Sequence, residues 1–240
     1  MSTIIDINTR FGPLPTGAAD LSVDDLVALM HQNEVQACCT LSTVGILLDA
    51  SMGNAATNAA ASETQSLIPT ATLNPQAWFG DNRAVDALRE AGFRMLRFFP
   101  EDQGWQVDYE PFRQLASLAA RSGMPIMVDV RDCGAASRIA RATSDYGCTI
   151  ILAGVHERSL SEAAALIAGD ARLHVETSRL VAVGSVRMMI DAAGADRVLY
   201  GSGAPAQPMS GALGILRHAQ LTEIEAEMVL GGNAARLLGL

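Results

Sequence analysis

Short runs of apolar and β-branched residues recur along the chain at intervals of roughly thirty residues, each followed by a stretch whose apolar positions fall at helical spacing. Eight such runs are present: Thr3 to Asn8, Val35 to Leu41, Leu67 to Leu73, Arg94 to Phe99, Pro125 to Val130, Cys148 to Gly154, Arg172 to Thr177 and Arg197 to Ser202. Eight strand-helix alternations predict a closed parallel barrel, the α/β class known as the (β/α)8 or TIM barrel, as a single domain over residues 1–240. An open doubly wound sheet is the rival, but it has no comparable reason to stop at eight.

Local signals punctuate this pattern. Ser22 before Val23-Asp24-Asp25, and Asp81 before the run with Val85 and Leu88, are predicted helix caps, because a side-chain oxygen there accepts from orphan amides. Gly92, Gly123, Gly147 and Gly194 are expected helix ends, where the chain turns into the next strand. The Ala/Asn-rich part from Gly53 to Ala61 fits a helix, and Gly231-Gly232-Asn233 reads as a loop with Asn233 capping the last helix. Pro100 to Trp105 and Gly203 to Gly211 are the longest expected irregular loops. Both follow strands, which in a barrel puts them at the ligand-binding face.

Charge narrows the partners. A formal net charge of −9 makes nucleic acid a poor partner, since phosphate binding depends on a basic surface. Small anions remain open, because a local cluster of arginines can outweigh the global sign. No apolar run is long enough to span a bilayer, and the first residues lack the basic and apolar regions of a signal peptide, so a cytoplasmic protein without a membrane partner is expected. Cys38, Cys39, Cys133 and Cys148 show no metal-binding spacing and are expected to be mostly buried thiols, with a reactive Cys133 as the alternative.

The last fifth of the chain runs from Gly194-Ala195-Asp196-Arg197-Val198-Leu199-Tyr200-Gly201-Ser202-Gly203 to the closing Gly231-Gly232-Asn233 segment. It resembles the final strand and terminal helix of the amidohydrolase superfamily, in the branch of decarboxylases, lactonases and hydrolases acting on small acids. Gly92-Phe93-Arg94 through Arg97 and Pro100 resembles the strand 4 region of the same branch. The resemblance implies a TIM barrel with a metal centre at the strand ends. In the family the last strand ends in Gly-Ser-Asp, strand 1 carries Asp-x-His-x-His, and strands 5 and 6 end in histidine. Here the corresponding residues are Gly203, Asn8 and Arg10, Asp129, and Gly154. All the expected metal-associated positions have changed, which argues against the family's metal and for no cofactor.

What remains at the inward register is polar: Asp6, Asn8 and Arg10 on strand 1, Arg97 with Phe99, Asp129 with Arg131, His156, and His174, Glu176 and Ser178. A guanidinium at Arg10 can take the place of the metal's charge and pair with a carboxylate, and a second arginine in the mouth can bind an acid substrate. A satisfied polar plug closing the barrel is the competing reading. A metal site rebuilt from Asp129, His156 and Glu176 is chemically allowable, although Arg10 would repel the cation. His31 and His218 fall in predicted helices away from the site, and His174 is expected as a hydrogen-bonded core residue. Trp78 and Trp105 sit in loops, as lid or packing residues.

Two functions follow. One is a metal-independent hydrolase or lactonase whose substrate carboxylate is held by Asn8, Arg10, Arg97 or Arg131, with Asp129, His156 and Glu176 as the catalytic candidates. The other is a non-catalytic pseudoenzyme that binds a small acid or a protein partner. The resemblance makes a homodimer plausible, but no stretch specifies an interface.

Overall fold

The computed structural model describes residues 3–14 and 20–240. Every predicted run overlaps a strand, the first two strands running on past the predicted ends: β1 (Ile5–Phe11), β2 (Ala37–Ser42), β3 (Leu67–Thr72), β4 (Met95–Phe98), β5 (Ile126–Asp129), β6 (Ile150–Ala153), β7 (Leu173–Glu176) and β8 (Val198–Leu199). They pair in sequence order, each parallel to the next. Backbone bonds from Ile7 N to Tyr200 O, Gly203 N to Asn8 O and Arg10 N to Ala204 O, each 2.9 Å, join the last strand to the first. The fold is a (β/α)8 TIM barrel.

The helices are α1 (Val23–Gln32), α2 (Val44–Leu47), α3 (Ala50–Glu63), α4 (Ala84–Glu90), α5 (Pro100–Gln103), α6 (Glu110–Ser122), α7 (Ala135–Ala142), α8 (Leu160–Gly169), α9 (Ser185–Ala193), α10 (Met209–Arg217), α11 (Glu223–Glu227) and α12 (Asn233–Leu238). Among the described residues none is long and apolar enough to cross a membrane. Ser22 starts α1 with a reciprocal capping box: its hydroxyl accepts from Asp25 N at 3.1 Å and the Asp25 carboxylate accepts from Ser22 N at 3.4 Å. The Ala/Asn-rich segment lies in α3, where Asn54 bonds both backbone groups of Thr72 at 2.9 Å and fastens the helix to β3.

The apolar residues divide into two layers. Inside the barrel Ile5, Ile7, Cys39, Ile68, Met95, Met127, Ile151 and Leu199 pack together, while Cys38, Leu96, Ile126, Val128 and their neighbours fill the shell between sheet and helices. The vicinal cysteines thus split between layers, as period-two alternation requires. His174 is buried, and burial pushes its imidazole down to about 4. Trp105 packs in the shell, edge-on to Phe98 at 6.1 Å.

Several local expectations are corrected. Asp81 does not cap α4: its carboxylate accepts from Arg83 N at 2.9 Å in a turn, and the helix begins at Ala84. Asn233 does not cap the last helix either. The chain is helical through Met228–Gly232 into α12, and Asn233 instead donates to the carbonyls of Ala195 and Val198 at 2.7 and 2.8 Å. The stretch after β4 opens with the one-turn helix α5, seated on Pro100 at its first turn. Most important for the site, the strand 1 register breaks between Asp6 and Thr9. The Asp6 carboxylate accepts from Asn8 N at 3.0 Å, a local bond that competes with the ladder and bulges the strand. Ile5 and Ile7 therefore face the barrel interior, and beyond the bulge Asn8 and Arg10 reach its mouth while Asp6 does not.

Candidate functional site

At the C-terminal ends of the strands lies a cavity of about 400 Å³. Asn8, Arg10, Asp129, Gly154 and Gly203, the five changed strand-end positions, all line it. Arg97, Arg131 and His156 do too, so six of the seven predicted site residues meet there. Glu176 is the exception, fully buried behind Ser178.

A chain of hydrogen bonds crosses the mouth from β7 to β5. Glu176 accepts from Gly154 N at 2.7 Å, and from the Ser178 amide and hydroxyl at 2.8 Å. The Ser178 oxygen accepts in turn from Asn8 Nδ2 at 3.5 Å, which turns the Asn8 carbonyl oxygen toward Arg97 Nη1. Arg97 Nη2 donates to Asp129 Oδ1 at 3.1 Å, and its guanidinium lies over the Phe99 ring at 4.7 Å. Arg131 donates to Asp129 Oδ2 at 3.4 Å, but its two parallel bonds, at 2.9 and 2.7 Å, go to Asp102 of α5. Strand ends are thereby cross-linked directly by side chains.

This belt decides what the candidate residues can do. Asp129 accepts from a guanidinium on each oxygen, Arg97 at 3.1 Å and Arg131 at 3.4 Å, and so anchors both arginines. Glu176 is pushed above the usual carboxylate range by burial, against the opposing pull of its amide and hydroxyl donors. His156 Nδ1 accepts from Arg158 N at 3.2 Å and Nε2 faces Arg131 O at 3.1 Å. A backbone amide can only donate and a carbonyl only accept, so the proton is on Nε2 and the imidazole lone pair is already used.

Arg10 differs from the other two predicted arginines. It makes no ion pair among the described residues; its Nε, like that of Arg97, has no acceptor. Burial first, and the neighbouring Arg97 second, push its guanidinium down to about 10. Arg97, Asp129 and Arg131 are thus paired with one another, with Asn8 and with Asp102, whereas Arg10 stands outside these pairs.

The donor set does not suit a divalent cation. Guanidiniums from Arg10 and Arg97 offer no lone pair, and among the described residues no group of three or more His, Cys, Asp or Glu side chains is placed to hold a metal. The rebuilt site of Asp129, His156 and Glu176 is thus not assembled. Gly203 adopts φ +75°, and a Cβ there would stand 3.0 Å from Ser178 Cβ. Gly201 is packed more tightly still, with a Cβ position 2.3 Å from Glu176 Oε2. The backbone is closed to larger side chains at both places, and Gly203 lines the cavity.

Sequence reasoning missed Arg179 and Gln207, which also line the cavity. Both sit in loops beyond the strands, where no periodicity marks which residues turn inward. The weak signal for Arg179 was its place beside Ser178.

Residues 75–240 match the amidohydrolase family. No curated protein matches the chain by sequence. Among solved structures, 5-carboxyvanillate decarboxylase from Sphingomonas paucimobilis superposes with a TM-score of 0.75 at 16% identity, covering 100% of both chains. A candidate 2-pyrone-4,6-dicarboxylic acid hydrolase from Pseudomonas putida gives 0.81 at 16% identity, covering 100% of this chain and 98% of that one. Dihydroxybenzoic acid decarboxylase from Polaromonas, solved with bound manganese and 2-nitroresorcinol, gives 0.78 at 14% identity over 100% and 98%. At these identities the likeness speaks for the fold.

Proposed function

Because the chain belongs to the amidohydrolase family, we propose that its cavity receives a small carboxylic acid on Arg10, with fixed guanidinium charge in place of a metal such as the manganese of the Polaromonas decarboxylase. The observation that carries this reading is the state of Arg10: a largely desolvated cation lining the cavity without a salt-bridge partner among the described residues, with Asp129 and Asp102 acting on it only at longer range. Leaving a buried charge unpaired is costly, and a ligand carboxylate forming two parallel hydrogen bonds offsets that cost. The cavity volume also falls within the range of small-molecule sites. Binding without turnover is the primary form of the proposal, since Asp129, Glu176 and His156 Nδ1 already accept hydrogen bonds from protein donors.

One observation favours a second reading, a metal-independent hydrolase or lactonase. His156 lines the cavity, is half-buried and is in no ion pair among the described residues. Loss of the 3.2 Å bond from Arg158 N would free Nδ1 to take a proton from water. The water oxygen would then attack a lactone carbonyl, with Arg10 facing the developing oxyanion. The ring C–O bond would break on collapse, and the proton would return from His156 to the leaving oxygen.

The test is calorimetric titration of chelator-treated protein with benzoate and with 2-pyrone-4,6-dicarboxylate. Arg10→Met is expected to weaken binding by about tenfold or more, the scale of a lost charge-assisted pair. Equal affinity in the two proteins would sink the reading. Ring opening of the pyrone, followed in the same sample and lost in His156→Gln, would select the hydrolase form.

A further inference from the structure

A second chamber, about 440 Å³, adjoins the first and is lined by His156, Glu157, Arg158, Arg179, Val181 and Gln207. Three of these residues, His156, Arg179 and Gln207, line both chambers and form the neck between them. We infer that the two chambers are one bipartite site for an elongated acid carrying an anionic group at each end, with Arg10 receiving one end and Arg158 the other. This rests on the Arg10 reading and extends it to the class of ligand.

Arg158 and Arg179 make no ion pair among the described residues, although the chain carries a net charge of −9. Three guanidiniums without a salt-bridge partner, Arg10, Arg179 and Arg158, stand at successive points of one hollow and form a track for an anion. Arg158 projects from an ordered turn: His156 N donates to Ser159 Oγ at 3.2 Å, and Arg158 N donates to His156 Nδ1 at 3.2 Å. Val181, 53% exposed on the outer wall, offers apolar contact to a methylene or aromatic spacer between the charged ends. Glu157 shares that wall and opposes an incoming anion, so its charge limits the gain from the outer chamber.

The experiment is a calorimetric series of linear dicarboxylates from succinate through azelate, each against the monocarboxylate of equal length, on the whole protein. At the length that spans the neck, the dicarboxylate is expected to bind roughly three- to tenfold more tightly than its monoacid, as for a partly exposed charge-assisted contact. Arg158→Gln should abolish that gain, whereas Glu157→Gln should enlarge it. No gain at any length, or a gain that survives Arg158→Gln, overturns the inference while leaving Arg10 intact. Failure of the monoacids to bind would remove the Arg10 reading and this inference together.

Discussion

Arg97 and Asp129 meet at 3.1 Å across β4 and β5, with side chains only 4% and 13% exposed. Removing Arg97 leaves the Asp129 carboxylate with only its longer, 3.4 Å contact to Arg131, a loss of about 1–3 kcal/mol. Arg97→Met is therefore expected to lower unfolding stability by that amount in urea. Arg97→Met combined with Asp129→Leu should recover much of the loss, because an apolar pair needs no solvation. Equal destabilisation in the single and double variants would show that the pair does not act as a unit.

Arg10 should behave in the opposite way. Its guanidinium is desolvated without a carboxylate, so Arg10→Met is expected to leave stability unchanged or raise it by about 1 kcal/mol while acid binding is lost. Urea midpoints measured beside calorimetric affinities test this. A variant that loses both stability and binding would mark Arg10 as a structural residue.

Burial holds the Asp6 carboxyl at about 7, far above the ordinary value near ~3.9. Between those values the folded chain keeps a proton that the unfolded chain has released. The contribution of Asp6 to stability is thus fully present below about pH 4 and declines as pH rises through about 7. Asp6→Asn retains an oxygen for the amides of Asn8 and Ser202 and does not titrate. Its stability should fall less steeply over that window and exceed that of the parent protein at pH 8 by on the order of 2–4 kcal/mol. Glu176, also raised by burial, and His174, lowered by burial, add slopes of opposite sign that both proteins share. Parallel stability curves for the two proteins would contradict the assignment.

Restoring the family's acid at the last strand should fail. Gly203→Asp places a side chain at φ +75° with its Cβ 3.0 Å from Ser178, a combination expected to cost about 1–3 kcal/mol. Thermal unfolding reads the loss, and zinc added to the variant should not reverse it. Stabilisation of Gly203→Asp by zinc would mean that the remaining strand ends can ligate after all.

The barrel was legible because its signals are local and repeated. Each strand is a short apolar run, and Ser22 with Asp25, or Cys38 beside Cys39, carries its placement in adjacent residues. The site was half legible. Strand-end positions such as Asn8, Arg97 and Asp129 could be counted out by period two, and they do line one cavity. Their states could not be counted out, since each is fixed by a partner distant in sequence. Arg131 is drawn to Asp102 of α5, and Glu176 is sealed by Ser178 and Gly154. Asp6 was misplaced because its own carboxylate breaks the strand register that the count assumes.

The central claim is that arginine charge serves this cavity where a metal would otherwise sit, and metal content tests it most directly. Elemental analysis of protein purified without added metal or chelator, repeated after incubation with zinc and with manganese, is expected to find far less than one equivalent per chain in every case. One tightly held equivalent, retained through dialysis and lost on changing Asp129 to Asn, would contradict the account.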